Sequence, residues 1–140
     1  MVMEAKRVKP VANSYMHTQP IWDAARNGRL LVQRCDDTKR LQHPPRPVSV
    51  YTGSKNLSWV EVSGFGSIYS WTVTTSAWPG HEHRVPYVCG LVLLNEGVRM
   101  LCNLINIGEA ELKVGRRVRV AWEELGDGFL YPAFELLPDR

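Results

Sequence analysis

The sequence has no apolar run near the roughly 20 residues that cross a bilayer as a helix, so no membrane span is expected. It also has no internal repeat and no low-complexity segment. The basic residues within Met1–Lys9 are not followed by an apolar stretch, which argues against a signal peptide or anchor and makes the cytoplasm the expected location. Cysteine is scarce: Cys35, Cys89 and Cys102 form an odd set without scaffold-like spacing, so reduced thiols are expected rather than disulfides. Cys89 and Cys102 lie in apolar segments, the setting of small, buried, inert thiols. There is no nucleophile elbow, phosphate-cradling loop or dinucleotide fingerprint. The adjacent Glu123 and Glu124 read as solvated carboxylates beside a turn. A self-sufficient active site is therefore not expected, and no catalytic residue is assigned. Massed charge is missing too, since 17 Lys and Arg are spread along the chain against 14 Asp and Glu. Nucleic acid is permitted by this balance but not indicated.

What is present is enough for one core. A chain of 140 residues with 44% hydrophobic and 22% charged residues has the make-up of a soluble globular protein with one compact domain and an appendage. A short helix is expected over Gln19–Asn27, with Thr18 at the N-cap, Pro20 in the first turn and Gly28 just past the end. Strands are expected at Arg29–Arg34 and Lys39–Gln42, forming a hairpin, and at Leu57–Val62. Between them, the prolines of His43-Pro44-Pro45-Arg46-Pro47 impose an extended path.

The stretch from Arg34 to Gly53 has the outline of a two-knuckle zinc ribbon that has lost most of its ligands. Cys35-Asp36-Asp37-Thr38 stands at the first knuckle and Ser49-Val50-Tyr51-Thr52 at the second. A structural zinc site takes four Cys or His donors, and Thr38, Ser49 and Thr52 are poor neutral substitutes. His43 lies outside both knuckles. No metal is expected, so Leu31, Val32, Leu41, Val48, Tyr51 and Trp59 must pack on each other, on the rest of the chain or on a partner. The ribbon is accordingly expected to be a docking surface, less ordered when the chain is alone.

From Gly64 onward the pattern is dense in strands. Tyr69, Trp71 and Val73 alternate with small or polar residues, as in a half-buried strand. Val85–Leu94 is apolar on both parities, as in a strand covered on both faces. Val98–Leu104, Arg116–Glu123 and Phe129–Phe134 follow. A connector over Ile107–Val114 with a helical turn precedes the fourth strand, and Gly126-Asp127-Gly128 forms the last turn. Five strands with glycine bends suit a small closed barrel of the OB type, with a β-sandwich as the alternative. The fold class expected is mainly β: a short N-terminal helix, a rubredoxin-like zinc-ribbon remnant without metal, then a five-stranded OB-fold barrel. The divisions expected are an N-terminal arm over 1–18, helix and ribbon over 19–62, and barrel over 63–140.

The chemically richest segment is the loop Ser76–Arg84, which holds Trp78, His81, Glu82, His83 and Arg84. Two histidines two apart make a weak metal or proton-relay motif. An interface loop, with Trp78 as anchor and Arg84 pairing with a phosphate or carboxylate, is the favoured reading over a merely solvated loop.

In that order of modules the chain resembles the acyl-CoA-associated zinc-ribbon/OB-fold family known as domain of unknown function 35. The resemblance runs from Ile21 to Phe134. It is carried by Gly28-Arg29-Leu30, Gln33-Arg34-Cys35, His43-Pro44-Pro45-Arg46-Pro47, Trp59–Gly64, Ile68–Val73, Val85-Pro86-Tyr87 and Val114-Gly115. It implies an accessory subunit of a thiolase-superfamily enzyme, in a symmetric heteromer such as α2β2. Such a subunit helps form the acyl-CoA channel for retro-aldol cleavage of steroid side-chain CoA esters, thiolysis or acyl transfer. No cofactor would be bound by this chain, with acyl-CoA as substrate of the complex. The residues expected to contact partner or acyl-CoA are Trp78, His81, His83, Arg84, Tyr87, Pro44, Pro45, Arg46 and Tyr51. The competing reading is a single-stranded nucleic-acid-binding module using Arg116, Arg117 and Arg119 with exposed aromatics. A stand-alone enzyme would have only the Trp78–Arg84 loop to work with.

Overall fold

The computed structural model describes residues 18–124 and 128–138. The expected arm, apart from Thr18, and the expected turn, apart from Gly128, lie outside them. Helix α1 spans Gln19–Ala25, with Pro20 in its first turn. Thr18 holds the N-cap position without a side-chain capping bond; Ile21 N–H bonds its carbonyl at 3.0 Å instead. Gly28, at φ +66°, reverses the chain, and the Gly28 and Arg29 amides bond the Ala25 and Ala24 carbonyls. This places the buried Ala24 and Ala25 against the first strand.

Strand β1 (Leu30–Cys35) is the centre of a three-stranded sheet, flanked by β2 (Leu41–Gln42) and β3 (Leu57–Val62), both antiparallel to it. Both knuckles leave this sheet with the same backbone geometry. Lys39 N–H bonds Cys35 O at 2.7 Å, and Gly53 N–H bonds Ser49 O at 2.9 Å. Each ends in a left-handed residue, Lys39 at φ +63° and Gly53 at φ +74°. The His43–Pro44 peptide bond is cis.

The remaining strands form a closed barrel: β4 (Phe65–Thr74), β5 (Tyr87–Leu94), β6 (Arg99–Leu104), β7 (Arg117–Glu124) and β8 (Leu130–Leu136), in the order β4-β5-β6-β8-β7. Antiparallel β4–β7 pairing closes it, and β6 meets β8 in parallel only at Asn103 and Leu104. A 3-10 turn, Glu109–Glu111, occupies the expected connector. Ile68, Val92, Leu94, Met100, Val118 and Phe134 fill the core. The sandwich alternative is thereby set aside.

Two expectations are corrected. The register of β4 on β5 shifts between Ile68 and Ser70, a β-bulge that changes which residues face inward. Ile68 enters the core, Tyr69 drops out of the pairing, and Trp71 and Val73, opposite Gly90 and Val88, share the side of Ile68; Tyr69, Trp71 and Val73 all stay partly open, at 48%, 36% and 39% exposed. β5 is not covered on both faces either: Gly90, Val92 and Leu94 are buried inside, and Cys89, Leu91 and Leu93 are only half-buried outside. Cys89 is thus less enclosed than its apolar neighbours suggest.

Candidate functional site

Three places hold the chemistry. At the knuckles, Cys35 Sγ lies 4.0 Å from Thr52 Oγ1. Hydrogen bonds from Ser49 and then Thr38 pull the Cys35 thiol down to about 7, against the opposing effect of desolvation. The four zinc-ligand positions therefore still converge, but they present one thiol and three hydroxyls. Neutral hydroxyls are weak donors to zinc, which takes thiolate, imidazole or carboxylate, so the donor set does not fit the metal. Among the described residues no group of three His, Cys, Asp or Glu side chains is placed to hold an ion.

Polar contacts join the knuckles instead. Asp37 accepts from Ser54 Oγ at 2.6 Å, Asn56 Nδ2 at 2.8 Å and Thr52 Oγ1 at 3.1 Å. These three donors hold its carboxyl below the usual range. Asp36 is lowered likewise, chiefly by the 2.6 Å bond from Ser58 Oγ and then by Arg34. Beneath the second knuckle two buried glutamines do similar work. Gln42 Nε2 donates to Gln33 Oε1 at 2.8 Å, the Arg46 amide donates to the same oxygen at 2.8 Å, and Val50 N–H donates to Gln42 Oε1 at 2.9 Å.

The second place is the β4–β5 loop. The His81 amide donates to the Trp78 carbonyl at 2.9 Å, and Gly80 N–H donates to Glu82 Oε2 at 2.8 Å. Glu82–Arg84 forms a 3-10 turn. Trp78, His81, Arg84 and Tyr87 are brought together around a shallow cavity of about 150 Å³. The Arg84 guanidinium stands 5.6 Å from the centre of the Tyr87 ring. His83 is exposed and does not join them. Trp78 is 83% exposed.

The third place is a larger cavity of about 420 Å³ between α1, β1, the proline loop and the edges of β6 and β8. Trp22, Leu31, Met100 and Tyr131 give it an apolar wall, and His43, Pro45 and Arg84 also line it. Asn103 Nδ2 donates to Glu123 Oε1 at 3.0 Å on the same wall. Burial pushes His43 down to about 4, leaving its ring neutral at neutral pH. Burial, with the nearby Cys89, pushes the Cys102 thiol up to about 12, so it is inert.

Arg84 thus borders both cavities, and Pro45 shares the larger one with it. Pro44 is exposed, and Arg46 takes part through its backbone, bonded to Gln33. Tyr51 donates to the Leu41 carbonyl at 2.6 Å beneath the Arg40 guanidinium, 4.1 Å from its ring centre. The sequence does not single out Trp22, Asn103, Glu123 or Tyr131 as neighbours of His43. They come from elements far apart in the chain, and no spacing announces their meeting. Of the three arginines offered for nucleic acid, Arg119 is paired with Glu135 at 3.0 Å.

A ribbon without a fitting ion, joined to a closed five-stranded barrel and lacking a catalytic constellation among the described residues, defines a zinc-ribbon/OB-fold module. Residues 22–48 match the family described as the ChsH2 rubredoxin-like zinc ribbon domain, and residues 59–123 match the ChsH2 C-terminal OB-fold domain. The chain belongs to this ChsH2, or DUF35, family. The solved structure titled Ltp2-ChsH2(DUF35) aldolase has 34% identity and a TM-score of 0.77, covering 91% of this chain and 98% of that one. A probable enoyl-CoA hydratase alpha subunit of Thermomonospora curvata is 35% identical over 94% of this chain and 40% of its own length. A 3-oxo-4,17-pregnadiene-20-carboxyl-CoA hydratase alpha subunit of Mycobacterium tuberculosis is 35% identical over 85% of this chain and 38% of its own. The chain spans about two fifths of the length of these curated relatives.

Proposed function

We propose that this chain is a non-catalytic accessory subunit of a thiolase-superfamily enzyme acting on acyl-CoA thioesters, with retro-aldol cleavage of a steroid side-chain CoA ester as the reaction of the complex. The observation that carries this reading is the set of large apolar side chains left exposed along β4, Tyr69, Trp71 and Val73, with Trp78 at the loop beyond. Large apolar side chains left uncovered on a stable barrel are the usual mark of a protein contact. Similarity to an aldolase assembly that contains ChsH2, and to subunits named for acyl-CoA hydration, supports the choice of partner and substrate class.

In this reading Trp78 is the buried anchor of the interface, while His81, Arg84 and Tyr87 line the acyl-CoA entrance with the guanidinium facing phosphate or carboxylate. Pro44, Pro45, Arg46 and Tyr51 contribute surface at the ribbon side, and His83 at the β4–β5 loop. The partner supplies the reacting groups, and the assembly is a symmetric heteromer such as α2β2 in the cytoplasm. Among the described residues no helix is long and apolar enough to cross a membrane.

Co-expression with a thiolase-like protein encoded beside it tests the reading. A stable complex of symmetric stoichiometry, whose activity is lost without this chain, is expected. A chain that elutes alone and leaves the partner's activity unchanged would sink it. Retention instead by a hydratase subunit would redirect the reading to the chemistry in the relatives' names.

A further inference from the structure

The barrel is open between β6 and β8, at the edge that lines the larger cavity. Leu94 N–H bonds the Val98 carbonyl at 2.9 Å, which makes Leu94 and Val98 a hydrogen-bonded pair at the head of the β5–β6 ladder. Such pairs alternate along an antiparallel ladder, so the peptide groups of Met100 and Cys102 face β5, while those of Arg99, Leu101 and Asn103 face away from it. β8 meets that outer edge only at Asn103 and Leu104, opposite Ala133 and Phe134. Two residues earlier Leu101 would stand opposite Tyr131, and in a parallel ladder its carbonyl would accept from the next amide along. That position is Pro132, which has no N–H, so the ladder stops. Among the described residues no strand other than β5 and β8 adjoins β6, and the edge at Arg99 and Leu101 is left unpaired. Leu101 is 68% exposed and lines the cavity beside Leu31, Met100 and Tyr131.

We propose that the edge at Arg99–Leu101 takes an extended acidic peptide segment of a partner protein, added to β6 as a further strand. Outward-facing peptide groups at positions two apart match the repeat of an extended backbone, a spacing that a small ligand does not present. The cavity beside the edge admits apolar side chains from the segment. Charge decides the rest of its chemistry. Arg84 on the cavity wall has no carboxylate partner among the described residues, only the Tyr87 ring, and exposed Arg99 stands at the edge itself over the Tyr69 ring. Glu123 is already engaged by Asn103. Residues 1–17 of this chain carry Lys6, Arg7 and Lys9 against Glu4, so their charge does not match the two arginines. This edge belongs to β6, not to the exposed side chains of β4, and serves whichever enzyme the chain joins.

The full chain is titrated with acetyl-Glu-Val-Thr-Val-Glu-amide while its backbone amide resonances are followed by NMR. The Arg99 and Leu101 amides are expected to move downfield, to saturate in the millimolar range and to exchange with solvent more slowly. The same peptide N-methylated at its central residues, which cannot donate along a strand, should bind about tenfold more weakly. Replacing its glutamates by glutamine should cost about threefold in the wild type and nothing in Arg84→Gln. Leu101→Pro removes an amide that β5 does not use, so the barrel should persist and binding should fall about tenfold, while Leu101→Thr keeps the amide and the binding. Equal binding of the methylated and unmethylated peptides by the wild type overturns the proposal whatever the variants do. So does the absence of any shift at millimolar peptide, or a shift that saturates elsewhere on the chain. Arg99 and Leu101 amides that are already protected in the free chain, and released on dilution or on deleting residues 1–17, would assign the edge to a second copy or to the chain's own N-terminus and overturn it equally.

Discussion

Ser54 Oγ donates a 2.6 Å hydrogen bond to Asp37 Oδ2 across the two knuckles, beside the place where a ribbon of this kind holds its ion. Asp37→Ala should therefore loosen both knuckles, seen as faster amide exchange at Cys35–Lys39 and Ser49–Asn56 and a lower melting temperature. Asp37→Asn, which keeps an acceptor, should be milder. The folded-state carboxyl is held below its ordinary value, so its contribution is present at neutral pH and fades as pH falls through that lowered value. The gap between wild type and Asp37→Ala should accordingly close only at the acid end of a pH series.

The metal question has a constructive test. Thr38→Cys, Ser49→Cys and Thr52→Cys together would give Cys35 the three partners that zinc wants, on knuckles already folded for it. This triple variant should carry about one zinc per chain by elemental analysis and lose stability on chelation. The wild type should purify with negligible zinc and melt at the same temperature with or without chelator. Near-stoichiometric zinc in the wild type would refute the polar-clamp account.

Trp71 and Trp78 separate docking from folding. Trp78 is 83% exposed, so Trp78→Ala should leave the isolated chain's melting temperature within a degree or two. Trp71→Ser, at a ring only 36% exposed, should lower it further. Either should weaken the complex by roughly tenfold or more if these rings are interface anchors. Affinity by calorimetry, beside melting of the free chain, tells the two effects apart.

His43 predicts a distinct pH window. Its folded-state value is about 4, below the ordinary histidine range, so the unfolded chain takes up a proton first as pH falls. Stability should decline between about pH 6.5 and pH 4, by up to ~3 kcal/mol, and then level off from this group. Denaturant unfolding at a series of pH values measures it. His43→Phe should flatten that segment of the curve while leaving the more acidic losses due to Asp36 and Asp37.

Gly66 predicts a backbone effect. A Cβ there would sit 2.5 Å from the Leu93 carbonyl oxygen, where β4 crosses close to β5. Backbone cannot rotate away as a side chain can, so Gly66→Ala should destabilise the barrel by about 1–3 kcal/mol. Gly53→Ala, with no atom near its Cβ, should show only the smaller cost of its left-handed conformation.

Much of the fold was legible in the sequence because local chemistry decides it. Gly28 ended the helix, Cys35 with Ser49-Val50-Tyr51-Thr52-Gly53 outlined two knuckles, and the glycine-punctuated strands called for a closed barrel. The missing zinc donors could be read directly as well, since ligand identity is a property of residue type. The candidate site was legible only in part. Trp78, His81, Arg84 and Tyr87 were close in the chain and proved close in space, whereas His83, exposed on the same turn, does not line that cavity.

The inward face of β4 was not legible, because period-two alternation shows that a strand has two faces but not where a bulge exchanges them. The bulge between Ile68 and Ser70 left Tyr69 unpaired and put Ile68, Trp71 and Val73 on one side, of which only Ile68 is fully buried. Nor could the sequence bring Trp22 and His43 to one cavity with Asn103 and Glu123, since their meeting depends on how helix, ribbon and barrel pack. The sequence by itself determined the modules and the absence of a zinc donor set, through backbone preference and side-chain chemistry. Only the tertiary structure decided which apolar side chains stay uncovered and, among the described residues, which buried polar atoms are left without a partner, because both depend on contacts between segments distant in the chain.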